Sequence, residues 1–170
     1  LDSGCQGVLV PLVRTKEDAE QSVRYSKYPP QGQRGIALTR VHGFGKTFDA
    51  YAANANQETM VVLMIEHVEA VERIDEILGV PDVDAVFIGP YDLSGSMGLM
   101  GQLHHPKVEA ACNHVKTAAI EKGIAAGLHI VEPLPGEVEQ RIQEGYTLIA
   151  AGMDVTLLKS AVENLKNRKS

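Results

Sequence analysis

Short apolar runs alternate with helix-period segments along the whole chain, and two of these runs organise the rest. Val61-Val62-Leu63-Met64-Ile65 ends on Glu66, and Ala85-Val86-Phe87-Ile88 leads through Gly89-Pro90-Tyr91 to Asp92. Continuous apolar runs of this length suit strands covered on both faces, as in parallel sheets. The helical pattern of Val68 to Leu78 lies between them, so the runs are expected as neighbouring parallel strands joined by a crossover helix. Glu66 and Asp92 then emerge side by side at the C-terminal edge of the sheet, where α/β barrels and open α/β sheets hold their chemistry.

The same alternation runs through the remaining sequence. Gly7 to Val13 reads as a buried strand, and Thr15 as the N-cap of a helix that Tyr28-Pro29-Pro30 ends. Gln31 to Lys46 is a long irregular stretch holding Arg34, Arg40 and His42; such a stretch is either a plain surface loop or part of a site or subunit contact. Phe48 to Asn56 predicts a short helix. Leu93 to Met100, with Gly95 and Gly98, predicts a flexible segment rather than a helix. Val108 to Lys122 is an amphipathic helix closed by Gly123. Ile124 to Val131 and Leu148 to Asp154 complete the strands, with helices over Pro133 to Glu144 and Val155 to Lys166.

Five strands alternating with helices define an α/β chain with a parallel sheet. A closed barrel needs eight such units, and the glycine-rich fingerprint of a dinucleotide fold follows none of the strands. Leu1-Asp2-Ser3-Gly4 reads like the end of a helix. The expectation is a single domain, 1–170, that supplies about the last five βα units of a (β/α)8 TIM barrel. Five strands alone expose two sheet edges, so folding is expected to need the remaining units or a partner.

Composition narrows the function classes. Hydrophobic residues make up 44% and charged residues 22%, as in a soluble globular protein. A net charge of -6 argues against a nucleic-acid partner, and the basic cluster Lys166, Arg168 and Lys169 suits a helix C-terminus. Cys5 and Cys112 are too few for a disulfide framework and are expected as buried small hydrophobes. With no apolar run of about 18 residues and no signal peptide, neither a membrane nor a secreted location is expected, and the cytoplasm is the default.

The candidate chemistry lies at the two carboxylates. Mg²⁺ and its relatives take oxygen ligands and keep several waters, so one or two carboxylates plus a substrate complete the shell. Glu66 and Asp92 meet that requirement, although Asp92 could equally be an N-cap. Gly89-Pro90 allows the N–H groups of Tyr91 and Asp92 to face an anion, or is an ordinary tight turn. His129, at a strand end, faces either the site or a packed layer. The six histidines form no zinc motif, and no Ser-His-Asp triad or Schiff-base lysine is present.

Leu1-Asp2-x-Gly4 with Val8-Leu9-Val10-Pro11, Tyr28-Pro29-Pro30-x-Gly32-x-Arg34-Gly35, Ile65-Glu66, and Val83-Asp84-x-Val86-Phe87-Ile88-Gly89-Pro90-x-Asp92-Leu93-Ser94 together resemble the HpcH/HpaI aldolase family. His105-Pro106-x-Val108, Gly127 and Gly152-x-Asp154 continue the likeness over nearly the whole chain. The resemblance implies a class II aldolase that cleaves or forms 4-hydroxy-2-oxo acids, to or from pyruvate and an aldehyde, through a metal-stabilised enolate. It implies Glu66 and Asp92 as ligands of Mg²⁺, Mn²⁺ or Co²⁺, and the backbone at Tyr91 and Asp92, beside Gly89 and Pro90, as the holder of the substrate carboxylate. It also implies a hexamer in which the last helix is exchanged between barrels. The family's catalytic His and oxyanion-holding Arg belong to a segment before residue 1, so no catalytic residue is assigned within the chain. Arg40 and His42 are candidates to replace them in part.

Two departures stand out. Met64 occupies the place of the family's Gln, and His129 that of an apolar pocket residue, which makes His129 a substrate-binding candidate. Two rivals follow: a citrate-lyase-β-like acyl-CoA lyase, and a catalytically silent relative that binds a 2-oxo acid or metal.

Overall fold

In the computed structural model, which describes residues 1–167, five parallel strands lie side by side in sequence order. They are β1 (Gly7–Val10), β2 (Met60–Ile65), β3 (Ala85–Ile88), β4 (Ala125–Ile130) and β5 (Leu148–Ala151). The helices are α1 (Lys16–Ser26), α2 (Phe48–Glu58), α3 (Val68–Glu72), α4 (Ile74–Ile77), α5 (Pro90–Ser96), α6 (Pro106–Glu121), α7 (Glu137–Gln143) and α8 (Asp154–Asn167). The sheet curls into a half-barrel with β1 and β5 as its edges. The eight-stranded closure expected from the resemblance is not contained in the described residues. Arg168 and Lys169 of the basic cluster lie outside them.

The apolar runs are continuous because both faces of the sheet are used. Val61, Leu63, Ile65, Val86, Ile88 and Ala126 point outward and pack with Ala19 and Val23 of α1, Ile74 and Ile77 of α4, Leu93 of α5 and Val115 of α6. The alternate residues Val62, Ala85 and Phe87 point inward with Met64, Ala125 and Leu148. Truncating a fully buried member such as Leu63 costs about 2–5 kcal/mol. Gly127 belongs to the inner set, and a Cβ there would lie 2.7 Å from the Phe87 ring and 2.8 Å from the Leu148 carbonyl oxygen. Glycine is what leaves room for the Phe87 ring on the inner face.

Local signals decide where elements start and stop. Thr15 caps α1 as expected: its hydroxyl accepts the Asp18 N–H at 3.2 Å, and the Asp18 carboxylate accepts the Thr15 N–H at 3.0 Å. β1 ends at Val10 rather than Val13, because Pro11 has no N–H for a ladder and Leu12 turns into the left-handed region at φ 57°. The helix expected over Val68 to Leu78 is two short pieces, α3 and α4, joined at Arg73. α7 starts only at Glu137, since Gly136 at φ 82° makes the preceding turn.

The largest correction concerns the segment after β3. Pro90 to Ser96 is a helix, not a flexible stretch. Pro90 sits at its first position, where its missing N–H costs nothing, and Leu93 and Ser94 are fully buried. The Ser94 hydroxyl donates to the Tyr91 carbonyl at 2.6 Å and Ser96 to Leu93 at 2.7 Å, which offsets the weak helix propensity of this run. A second correction concerns the cysteines: Cys5 is exposed, and only Cys112 is partly buried, where loss of solvation pushes its thiol pKa up.

The long stretch between α1 and α2 is held by two buried polar side chains. Arg34, 7% exposed, pairs with Asp2 at 2.8 Å, donates to the Tyr51 hydroxyl oxygen at 3.0 Å, and stacks over Tyr28 with its guanidinium carbon 4.5 Å from the ring centre. His42 is fully buried: its Nδ1 accepts the Gly45 N–H at 3.0 Å, so Nε2 donates to the Ala37 carbonyl at 2.9 Å. Both ring nitrogens of His42, one of the two candidates for a catalytic role in this stretch, are thus engaged by backbone groups. Arg40 is exposed beside them.

Candidate active site

Register carries the carboxylates to one edge. Ile65 of β2 pairs with Ile88 of β3, and Leu128 of β4 with Ile88, so the next residues, Glu66, Gly89 and His129, form one row across three neighbouring strand ends. The Gly89 N–H donates to the Ile65 carbonyl at 3.1 Å, which ties the first two members together. His129 pairs with Ala150 of β5, which continues the row. Glu66 and His129 have the same parity as Met64, Phe87, Gly127 and Leu148 beneath them, so the row is the polar rim of an apolar inner face.

Glu66 is 6% exposed. One carboxylate oxygen, Oε1, accepts the Leu12 backbone N–H at 2.8 Å. The other has no hydrogen-bond partner among the described residues, and it lies beside Gly89, where a Cβ would come within 3.1 Å of Oε2 and 2.9 Å of the Glu66 Cβ. Glycine at 89 is therefore a spatial requirement of the carboxylate. Glu66 is not a helix cap: His67 takes that place in α3, its Nδ1 accepting the Glu69 N–H at 3.2 Å.

Asp92 is not the direct strand-end neighbour expected from the sequence. That neighbour is Gly89, and Asp92 stands three residues on, in the first turn of α5. It is exposed, and its carboxylate accepts no hydrogen bond among the described residues, so the N-cap alternative does not hold. The N–H groups of Tyr91 and Asp92, in the same first turn, have no intrahelical acceptor. Pro90 has no N–H to offer.

The donor set suits a hard divalent cation with an incomplete protein shell. Two carboxylates, one buried with an unengaged oxygen and one exposed, leave the other positions to water and substrate oxygens. Among the described residues no group of three or more His, Cys, Asp or Glu side chains gathers, so a site closed by protein alone is absent.

His129 is half-buried, and its Nε2 lies 3.3 Å from the Gly152 carbonyl. A cavity of about 880 Å³ touches Pro90 and Tyr91 on one side and His129 on another, and runs outward between α6 and α7. In its outer part Arg141 donates to Glu144 at 2.9 Å. Burial works against the charge on Glu144, but the hydrogen bonds from Arg141 and Gln140 outweigh it and hold that carboxyl below its usual range. A separate apolar trough of about 340 Å³, lined by Leu9, Met60, Val62, Phe87 and Leu148, occupies the inner face toward the strand starts, away from both carboxylates.

Sequence reasoning missed Leu12. The one signal was Pro11, which ends the strand and turns the next N–H off the ladder.

A parallel half-barrel whose C-terminal edge carries two carboxylates and an open helix start belongs to the α/β-barrel type of architecture. The profile of the HpcH/HpaI aldolase/citrate lyase family matches residues 1–161, and the chain belongs to that family. It is 35% identical over 166 residues to a 5-keto-4-deoxy-D-glucarate aldolase of Escherichia coli O6:H1, covering 97% of this chain and 64% of that relative. A solved HpcH/HpaI aldolase/citrate lyase family protein from Burkholderia cenocepacia superposes with TM-score 0.90 at 32% identity, over 99% of this chain and 67% of that one. An HpcH/HpaI aldolase from Desulfitobacterium hafniense superposes with TM-score 0.86 at 34% identity, over 98% and 65%. The chain thus spans about two thirds of the length of these relatives. No described helix is long and apolar enough to cross a membrane.

Proposed function

We propose that this chain is part of a class II aldolase, a carbon–carbon lyase that cleaves or forms 4-hydroxy-2-oxo acids to or from pyruvate, or a close relative, and an aldehyde. The observation that carries the reading is Glu66: a buried carboxylate with one oxygen anchored by Leu12 and the other unengaged, next to Gly89 and the open first turn of α5. Glu66 and Asp92 would hold Mg²⁺, Mn²⁺ or Co²⁺. Such a cation, when bound, supplies Lewis-acid polarisation of the 2-oxo group.

The chain's own residues do the rest of the positioning. The N–H groups of Tyr91 and Asp92 take the substrate carboxylate at the start of α5, where the helix dipole favours an anion. Gly89 lets the substrate approach the backbone closely, and Pro90 sets the direction of the helix. Met64, below Glu66 on the inner face, offers no hydrogen bond where the family's Gln does. His129 bounds the site on the side away from Glu66.

The assembled enzyme is proposed to be a homo-oligomer that exchanges α8 between copies. Val155, Leu157, Leu158, Val162 and Leu165 leave an apolar stripe of α8 exposed, from 43% at Val162 to 68% at Leu158, which a partner subunit would cover.

The test is release of pyruvate from a 4-hydroxy-2-oxo acid by the intact protein, with Mn²⁺ and then with EDTA, beside Glu66→Gln. Gln keeps an acceptor for Leu12 and removes the charge. Turnover that needs the metal and is lost in the variant supports the reading. Mn²⁺ binding through Glu66 without turnover favours the silent relative, and turnover of an acyl-CoA substrate alone favours the citrate-lyase-like rival.

A further inference from the structure

The two carboxylates stand on different strand-to-helix turns, so their separation depends on how those turns are joined. Glu66 lies between β2 and α3, and Asp92 opens α5 after β3. Two hydrogen bonds join the turns. The first, at the strand ends, is the Gly89 N–H to the Ile65 carbonyl at 3.1 Å. The second runs the other way: the Val68 N–H donates to the Ser96 hydroxyl at 3.0 Å, across 28 residues of sequence. Glu66 is thus held between Ile65 and Val68, and Asp92 between Gly89 and Ser96.

Ser96 is arranged for this contact. Its hydroxyl donates to the Leu93 carbonyl at 2.7 Å, so the hydrogen is used inside α5 and a lone pair is left for Val68. Val68 is the first residue of α3, where an N–H has no acceptor within its own helix. The following N–H groups are met locally, Glu69 by the His67 ring and Ala70 and Val71 by the His67 carbonyl. Only Val68 turns to a neighbouring element. Ser94 does not duplicate the tie, because it donates to Tyr91 and accepts the Gly101 N–H at 3.0 Å, both on its own side. Among the described residues no other side-chain hydrogen bond joins the two turns.

We infer that Ser96 is a positioning residue: by accepting the Val68 N–H it fixes the Asp92 turn against the Glu66 turn and sets the distance between the two carboxylates. The inference rests on the reading of Glu66 and Asp92 as cation ligands and deepens it by naming what holds them in place. A fixed pair of carboxylates favours a small cation of strict geometry. Mg²⁺ requires near-octahedral oxygens at about 2.0–2.1 Å, whereas Ca²⁺ accepts irregular shells at about 2.3–2.6 Å.

The experiment is calorimetric titration of the intact protein with Mg²⁺ and with Ca²⁺, in Ser96→Ala, Val68→Pro and the double variant. Val68→Pro removes the same bond from the donor side. Proline suits the first helical position, and His67 before it already holds the extended conformation, φ −137° and ψ 144°, that a following proline requires. Ser96 and Val68 are both half-buried, so neither replacement opens a cavity in the core. Each single variant should bind Mg²⁺ about tenfold more weakly, as when a supporting partner of a ligand is lost, while Ca²⁺ affinity stays within about twofold. The double variant should lose no more than either single one, since the same bond is missing in all three. Ser96→Thr keeps the hydroxyl and should retain Mg²⁺ affinity. Unchanged Mg²⁺ affinity, equal losses for both cations, or additive losses in the double variant overturn the inference and leave the ligand reading standing. Val68→Pro decides alone should Ser96→Ala fail to fold. An unaltered protein that binds neither cation overturns the ligand reading, and this inference with it.

Discussion

The backbone N–H of Leu12 donates to the Glu66 carboxylate at 2.8 Å across 54 residues of sequence, and Leu12 holds a left-handed conformation at φ 57° to do so. A non-glycine residue there costs about 1–2 kcal/mol relative to the right-handed region. The side chain is not buried, being 60% exposed, so packing does not explain the conformation; the hydrogen bond gives it a use.

Two substitutions at Leu12 separate the conformation from the bond. Leu12→Gly relieves the left-handed strain and keeps the N–H, while its greater unfolded-state freedom offsets about 1 kcal/mol. Stability should shift little and Mn²⁺ affinity should persist. Leu12→Pro has no N–H and cannot take a positive φ, and Mn²⁺ affinity should fall roughly 10- to 100-fold, as when a supporting partner of a metal ligand is lost. Mn²⁺ titration of both variants by calorimetry decides this, and equal affinities would mean that Leu12 does not position Glu66.

Gly89→Ala introduces a methyl group 2.9 Å from the Glu66 Cβ and 3.1 Å from its Oε2. The clash falls on the carboxylate rather than on a flexible surface chain. The expected result is weakened Mn²⁺ binding and at least tenfold lower turnover, with a thermal midpoint lowered by only a few degrees. A variant with unaltered kinetics would remove the crowding argument.

Arg34→Met tests the anchor of the loop before α2. Arg34 is 7% exposed, and its loss leaves Asp2 and the Tyr51 hydroxyl without their partner and removes the stacking on Tyr28. A loss of about 2–3 kcal/mol is expected from denaturant unfolding. Hydrogen exchange should accelerate across residues 31–47 rather than in the sheet.

The exposed stripe of α8 predicts assembly through that helix. Leu158→Glu replaces a side chain that is 68% exposed in the single chain, so the fold of one chain should tolerate it. Light scattering should show a smaller assembly than for the unaltered protein. An unchanged mass would rule out α8 as the contact.

Burial raises the Tyr146 hydroxyl to about 12 from its ordinary value of 10.0, with the negative charge that Cys112 would carry adding to the shift. A folded value above the unfolded one means stability that is complete below pH 10 and is lost as pH rises toward 12. Tyr146→Phe removes the group, and no hydrogen bond of that hydroxyl is recorded among the described residues, so alkaline unfolding should begin at higher pH in the variant. Tyrosine absorbance followed alongside circular dichroism measures both.

Much of this architecture was readable from residue patterns. The strand runs, the Thr15 cap, the Gly123 stop and the motif from Val83 to Ser94 all depend on neighbours within a few positions, and such signals survive in a linear text. They placed five parallel strands in order and put Glu66 and the Gly89 to Asp92 turn at one sheet edge. Pro90 to Ser96 reads as flexible for a local reason too: glycine and serine lower helix propensity, and the burial of Leu93 against the core, with the Ser94 and Ser96 hydroxyl bonds, outweighs it.

What the chain's order could not decide was relative position across strands. Whether Glu66 faces Gly89 or Asp92 depends on a register that no short-range pattern encodes, because moving a strand by one residue turns every side chain to the opposite face. The partner of Glu66 lies 54 residues away at Leu12, and that of His129 lies 23 residues away at Gly152. Sequence alone determined which residues are the candidates for the chemistry; the packed sheet determined which of them meet, since hydrogen-bond reach is a property of distance in space.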